Sequence, residues 1–202
     1  MDFLTDPNVV WGFQDESAQR ISTRTARLWS IGKPVRRINS DRVNANIFGF
    51  YAVRGSSVAY FPEHSKAPDM CSFLDAVREA NGDRKIVMIL DNGPIHHTKN
   101  VGEHAKEPGI EPIFLPPYSP QFNPIELIWK SIKRTVSGMF ILERCHLIDV
   151  VKECFIQDRK SRFCRYIIRP SDPLSRHRWR FAACIGMRTA SASRPAPRSL
   201  AR

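Results

Sequence analysis

The segments that decide the fold are IVMILDNGPIHH at residues 86–97 and IFLPPYSPQFNPIELIWKSIKRTV at residues 113–136. The first segment opens with a continuous apolar run, Ile86–Leu90, which predicts a strand buried on both faces. Asp91 follows at the carboxyl end of this strand, and Asn92-Gly93-Pro94 then predicts a turn. We therefore expect Asp91 to lie at the edge of a buried sheet.

The second segment predicts a strand over Ile110–Leu115, a proline-rich extended loop and a helix. Asn123 suits the N-cap of this helix and Pro124 its first position. Apolar residues then recur at helical spacing and form the buried stripe: Ile125, Ile128, Trp129, Ile132 and Val136. Glu126 falls in the first turn at the edge of this stripe, where we expect it to reach back towards Asp91.

Each of these two carboxylates also has an ordinary structural explanation. Asp91 would cap the turn that follows it through its own backbone. Glu126 would be a capping-box partner of Asn123, or an i,i+4 partner of Lys130. For each acid taken singly, the structural explanation is favoured over a catalytic role. Taken together, the two explanations are weaker, because the loop sequences around both acids are so distinctive.

The rest of the hydrophobic pattern predicts an α/β domain with a mixed sheet. Strands come first, in an antiparallel meander, and helices then alternate with strands. Asp15 and Glu16 follow the first strand, and their side chains should face opposite ways, so only one can join a site with Asp91. The predicted strands are 9–14, 27–30, 47–53, 58–61, 86–90 and 110–115, and the predicted helices are about 70–81, 98–107, 124–136 and 143–155.

Three motifs in this order resemble the DDE transposases of the mariner-type superfamily, which includes many bacterial and archaeal insertion-sequence transposases. LDNGPIHH and LPPYSPQFNPIELIWKSIK resemble the second and third acidic motifs, and the spacing between their acids (residues 92–125) is that of the branch whose third acid is Glu. The family's first acid follows the first strand in a phrase like QDES, found here at residues 14–17. Trp29, Gly32 and Pro34 resemble the tryptophan-glycine-proline element that follows the first acidic motif in this family. The similarity covers roughly residues 9–155.

The resemblance implies a ribonuclease H-like fold, a mixed five-stranded sheet flanked by helices. It assigns Asp15, Asp91 and Glu126 as the catalytic and metal-binding acids, with Glu16 as the runner-up for the first position. Three such carboxylates repel by about 4 kcal/mol per pair at about 4 Å and an effective dielectric of about 20, so cations must neutralise them. All-oxygen ligands select Mg²⁺ or Mn²⁺, and the family's chemistry implies two ions, cleavage of double-stranded DNA at element ends and strand transfer into a target.

Other residues in these motifs receive supporting roles in the resemblance. Asn92, His96 and Asn123 are expected to orient the acids or to touch the DNA backbone. Three basic residues share the helix with Glu126 and lie off its apolar stripe, where a DNA-binding role and a solvated helix face are about equally favoured: Lys130, Lys133 and Arg134.

The formal charge of +11 belongs to the end of the chain. Residues 159–202 hold twelve Lys or Arg and one acid, which leaves nineteen basic and nineteen acidic residues in residues 1–158. We therefore predict a catalytic domain over 1–158 and a basic, low-order tail over 159–202. A tail that binds DNA phosphates is an alternative; translation out of frame is a third explanation, which we favour because the further helix usual in the family is not recognisable here.

Composition excludes several protein classes. No membrane-spanning run or signal peptide is recognisable, and five cysteines without a C-x-x-C pair suit a reducing cytosol. We expect a cytoplasmic, nucleoid-associated protein of a bacterium or archaeon, acting as a homodimer. Because only about eight residues precede the first strand, we expect a separate helix-turn-helix subunit to recognise the element ends. The alternatives are an inactive transposase remnant that only binds DNA or partner chains, and a ribonuclease H-like nuclease.

Overall fold

A mixed five-stranded sheet forms the centre of the computed structural model, which describes residue 4 and residues 6–21, 30–33 and 43–158. The strand order is β3-β2-β1-β4-β5. β1 pairs antiparallel with β2 and parallel with β4, β2 pairs antiparallel with β3, and β4 pairs parallel with β5. The predicted mixed sheet is therefore confirmed, with these bounds: β1 Val9–Arg20, β2 Asn44–Arg54, β3 Val58–Tyr60, β4 Lys85–Leu90 and β5 Ile110–Phe114.

Helices cover both faces of this sheet, because the strands in its centre are apolar on both sides. On one face, Val10 and its neighbours pack against the first two helices; on the other, Trp11 and Phe13 pack against the last two. Short 3₁₀ turns at Pro94–His97 and Pro120–Phe122 follow β4 and β5. The helices are α1 Ala67–Asn81, α2 Lys99–His104, α3 Ile125–Gly138 and α4 Arg144–Asp158.

The stripe predicted for α3 is buried as expected. All five residues are at most 2% exposed, and they pack on the same face of the sheet as Trp11 and Phe13: Ile125, Ile128, Trp129, Ile132 and Val136. The second predicted helix is shorter than expected: α2 ends at His104, and the turn residues 105–109 lead into β5.

The first strand was predicted too short. It continues past Gln14 to Arg20 because β2 pairs with it along that whole length, from Gly12↔Ala52 to Arg20↔Asn44. Asp15 and Glu16 therefore lie inside a strand rather than at its end. Only the parallel partner β4 stops earlier, with its last pair at Phe13↔Ile89.

Several predictions fall on residues outside the described part of the chain. These are the strand over 27–30 apart from Ser30, the motif residues Trp29 and Pro34, and the tail over 159–202. Within the described residues, no helix combines the length and the apolar character needed to cross a membrane.

Candidate active site

The parallel register of β1 and β4 brings two of the three predicted acids to the same place. Their last paired residues are Phe13 and Ile89, and Asp15 and Asp91 each lie two residues further along. Because β1 continues and β4 ends, Asp91 starts a loop beside a strand that carries Asp15. Asp15 within β1 and Asp91 directly after β4 therefore lie at the same edge of adjacent strands.

Asp15 is half-buried and faces α3. Its Oδ2 accepts a hydrogen bond from the indole N–H of Trp129, with a distance of 2.9 Å from Nε1. The pKa of Asp15 is raised to about 7, mainly because burial disfavours the charged carboxylate, and also because the negative charges of Glu126 and Asp91 are near. Hydrogen bonds from the Glu16 backbone N–H and the Trp129 indole partly offset this rise.

Glu126 lies in the first turn of α3, as predicted, and is exposed. Neither ordinary explanation for it is observed among the described residues. The Asn123 backbone N–H donates to the Pro120 carbonyl at 2.9 Å instead of to Glu126, and no ion pair joins Glu126 to Lys130. Its charge contributes to the raised pKa of Asp15, which indicates that Glu126 lies on the Asp15 side of the site.

Asp91 does form the turn that its ordinary explanation predicts. Its Oδ1 accepts the Gly93 backbone N–H at 2.9 Å. The side chain is nevertheless 58% exposed, so the carboxylate remains open to solvent next to Asp15. A role in the turn and a role in a site are compatible here.

His96 is buried beside Asp91 on the far side from α3. Its Nε2 lies 3.3 Å from Asp91 Oδ1 and 3.8 Å from Glu16 Oε1. Burial lowers the pKa of His96, and the Asp91 charge opposes that change. We therefore interpret the Asp91 contact as a hydrogen bond from a neutral imidazole, in the tautomer protonated at Nε2, rather than as an ion pair.

Glu16 lies on this second side of β1. Burial, followed by the charges of Asp15 and Asp91, raises its pKa to about 7, and its buried Oε1 has no hydrogen-bond partner among the described residues. Glu126 is absent from the charges that influence it. The geometry thus groups Asp15 with α3, and Glu16 with His96.

Asn123 lies where the N-cap was predicted: Pro124 already has helical backbone angles, Asn123 itself is extended, and its Oδ1 accepts the Ile125 backbone N–H at 3.4 Å. The Asn123 side chain is buried and donates from Nδ2 to the carbonyl of Gln14 at 3.0 Å. It therefore ties the start of α3 to the residue that precedes Asp15, a contact across the fold that local capping rules do not predict.

Asn123→Ala is expected to lower the free energy of unfolding by about 2 kcal/mol, because the buried Gln14 carbonyl loses its donor. Asn92→Ala is a matched control. Its amide also donates to a backbone carbonyl, that of Leu115, but Asn92 is exposed and water can replace it. Urea denaturation measures both changes, and equal losses in the two variants would contradict a special role for Asn123.

Of the other predicted site residues, Asn92, Lys130 and Arg134 show no direct contact with the acids among the described residues. Asn92 follows Asp91, but its side chain bonds to Leu115 and to His97, whose ring stacks on Phe114 at 4.5 Å. On α3, Lys130 and Arg134 are exposed and Lys133 is half-buried. Their exposure fits a DNA-binding role and a solvated face equally well.

Sequence reasoning missed the second use of Trp129, which it placed only in the buried stripe. A buried indole N–H almost always needs an acceptor, and Trp129 follows Glu126 by three positions on α3. These two facts together were the available indication that Trp129 reaches an acid.

The amino-acid sequence matches one known protein family. Residues 10–146 match the sequence model of the family described as DDE superfamily endonuclease, which spans the positions of all three acids. The chain belongs to this family. A search of curated proteins by sequence found no match.

Solved structures similar to this DDE endonuclease come from the Mos1 mariner transposase. The crystal structure of the Mos1 catalytic domain has a TM-score of 0.56 at 14% identity, over 91% of this chain and 84% of that chain. The Mos1 paired-end complex with the left transposon end gives 0.63 at 16% identity, over 89% and 55%, and the Mos1 paired-end complex with Mn gives 0.62 at 15% identity, also over 89% and 55%. The chain thus spans about half the length of the protein in those complexes, and the likeness confirms the predicted fold.

The donor atoms of this DDE endonuclease fit a hard divalent cation. Asp15, Asp91 and Glu126 offer only carboxylate oxygens, which suit Mg²⁺ or Mn²⁺. Asp91 and Glu126 are exposed, and the charges of both contribute, after burial, to the raised pKa of Asp15. Within the described residues, no three His, Cys, Asp or Glu side chains are grouped tightly enough to hold an ion as they stand.

Proposed function

We propose that this chain is the catalytic domain of a transposase, which cleaves double-stranded DNA at element ends and joins the freed strand to a target. The observation that carries the proposal is the β1–β4 register, which sets Asp15 beside Asp91, on the side of the sheet where α3 carries Glu126. Family membership supports endonuclease chemistry. The Mos1 complexes concern strand transfer and paired ends of that protein, and they support the finer assignment.

Asp15, Asp91 and Glu126 would hold two Mg²⁺ or Mn²⁺ ions. When bound, such ions activate a water and stabilise the leaving 3′ oxygen in an in-line displacement at phosphorus. The protein's own contribution is to place the acids. The indole of Trp129 fixes one oxygen of Asp15, and the turn at Gly93 together with His96 fixes one oxygen of Asp91. No side chain is required as the nucleophile.

The DNA backbone would run along the exposed side of α3. Lys130, Lys133 and Arg134 lie one to two turns beyond Glu126, where contacts to phosphates would hold the scissile bond against the acids. We also propose that residues 1–158 form the catalytic domain and that residues 159–202 form a separate basic tail. The chain would act as a homodimer on paired element ends, together with a separate helix-turn-helix subunit. It would bind the nucleoid DNA of a bacterium or archaeon. The charge distribution along the sequence supports the domain boundary, and the sequence resemblance supports the other points.

Plasmid nicking tests the proposed function without knowledge of the element ends. The chain is incubated with supercoiled plasmid in Mg²⁺ or Mn²⁺, and with excess EDTA as the control. We expect nicked DNA with 3′-hydroxyl ends that a polymerase extends, and no nicking in EDTA. Nicking that persists in EDTA, or an absence of nicking with either metal in a folded protein, would contradict the proposal, and the second result would favour an inactive remnant.

A further inference from the structure

We propose that Trp129 is a positioning residue for the catalytic site: its indole N–H sets the orientation of the Asp15 carboxylate and couples it to the helix that carries Glu126. The inference rests on the proposed function of the three acids. It assigns to Trp129 a role beyond packing, which its place in the apolar stripe of α3 does not suggest.

The hydrogen bond itself is direct and well placed. Trp129 Nε1 lies 2.9 Å from Asp15 Oδ2, which joins residues far apart in sequence. Trp129 is 1% exposed, so water does not compete for the N–H. Hydrogen bonds from a neutral donor to a carboxylate are stronger than those between neutral groups, and this one fixes which carboxylate oxygen remains available for another ligand.

The orientation of the indole ring is fixed by its neighbours. One side stacks on Phe155 of α4, with ring centroids 5.6 Å apart and planes 29° from parallel. The ring also lies over Gly49 of β2, where an added Cβ would come within 2.7 Å of Trp129 Cη2 and 2.8 Å of Cζ2. Any side chain at residue 49 would therefore displace the ring.

Gly49 occupies the position in β2 that pairs with Asp15 across the strands. Because a glycine stands directly opposite the acid, the indole can approach the sheet beside Asp15 rather than above a side chain. Gly49, the Trp129 ring that packs over it and the Asp15 carboxylate beside that ring therefore form one packed group.

Trp129 and Glu126 are three positions apart on α3 and so lie on neighbouring parts of its surface. The start of the same helix is tied to the Gln14 carbonyl by Asn123. Two bonds thus join α3 to consecutive residues of β1, at Gln14 and at Asp15. A shift of α3 relative to β1 would move Glu126 and turn Asp15 together, so the two acids keep a common arrangement.

Trp129→Phe tests the inference because it keeps an aromatic ring and removes the N–H. Trp11→Phe is the matched control, since Trp11 is also buried, lies on β1 and belongs to the same apolar cluster. Mn²⁺ binding to the whole chain is measured by titration calorimetry, beside plasmid nicking. Loss of a residue that orients a metal ligand typically weakens metal binding about 10–100-fold. We expect that loss for Trp129→Phe and binding like wild type for Trp11→Phe.

Gly49→Ala provides a second variant in which the N–H is retained but displaced. It should weaken Mn²⁺ binding in the same direction as Trp129→Phe. The indole N–H resonance of Trp129, read by ¹H–¹⁵N NMR, gives a measurement independent of activity. In the wild type this resonance should move when Mg²⁺ is added, and in Gly49→Ala it should already be shifted before Mg²⁺ is present.

The outcomes separate this inference from the proposed function. If the wild type binds Mn²⁺ and nicks DNA, and Trp129→Phe and Gly49→Ala do the same with unchanged affinity, the positioning role is wrong and the function stands. If Trp11→Phe loses affinity as much as Trp129→Phe, the effect is general packing, and the inference is again wrong. If the wild type neither binds Mn²⁺ nor nicks DNA, the proposed function fails, and the role of Trp129 fails with it.

Discussion

Asp15→Asn, Asp91→Asn and Glu126→Gln are each expected to reduce metal-dependent DNA nicking by more than about a hundredfold. Loss of a residue that only supports a metal ligand costs about 10–100-fold, and loss of the ligand itself should cost more. Each substitution keeps the size of the side chain and removes one negative charge. Initial rates of plasmid nicking in Mn²⁺ measure the effect.

Glu16→Gln is the informative control, because Glu16 is the neighbouring acid and the alternative for the first position. It lies with His96 on the other side of β1, and the charges that help to raise its pKa are those of Asp15 and Asp91. We expect this variant to retain most of the nicking activity. Loss of activity in Glu16→Gln together with activity in Asp15→Asn would reverse the assignment.

Asp15→Asn should lose activity without losing stability. The substitution removes a half-buried negative charge that burial and two neighbouring acids disfavour, and the Asn carbonyl can still accept from Trp129. Without metal, its melting temperature is therefore expected to equal or exceed that of the wild type. A large fall would mean that the loss of nicking reflects unfolding.

Mn²⁺ is expected to stabilise the wild-type chain by about 2.7 kcal/mol when its concentration is about a hundred times its Kd. The reason is that a cation relieves the repulsion among Asp15, Asp91 and Glu126, which contributes to the raised pKa of Asp15. For a chain of this size the shift in melting temperature is roughly 5–11 °C. Thermal melts with and without the ion measure it.

Asp91→Asn should abolish most of this shift. Asp75→Asn is the matched control, since Asp75 is an exposed aspartate on α1 that contacts His104 at 2.8 Å, away from the three acids. It should keep the full shift. A shift that survives in Asp91→Asn would mean that Mn²⁺ binds elsewhere on the chain.

The parts of the fold that the sequence predicts well are those with strong local patterns. α1, α3 and β4 follow from apolar periodicity, and the order of the three acidic motifs indicates the site. The extension of β1 to Arg20 was missed because it depends on pairing with β2, a partner more than twenty residues away along the chain. Local sequence patterns predict the strand, but they do not identify the partner strand whose pairing extends it.

Side-chain contacts across the fold were beyond prediction for the same reason. Asn123 has the local features of a helix cap, yet its amide bonds to Gln14 on another element. Trp129 has the spacing of a core residue, and its N–H can donate to Asp15 only when α3 is packed on the sheet. Whether Glu16 or Asp15 faces α3 follows from strand alternation only once the helix is known to lie on that side.

The pairing of β1 with β4 also has a consequence for how the chain folds. It joins residue 9 to residue 85, so the segment between them must be closed into a loop before this pair of strands can form. Contacts of such long range form slowly compared with hairpins and helices. The β1–β2 and β2–β3 pairs can form early from nearby segments, but Asp15 has no second acid beside it until β4 docks. We therefore expect the proposed catalytic acids to come together only late in folding.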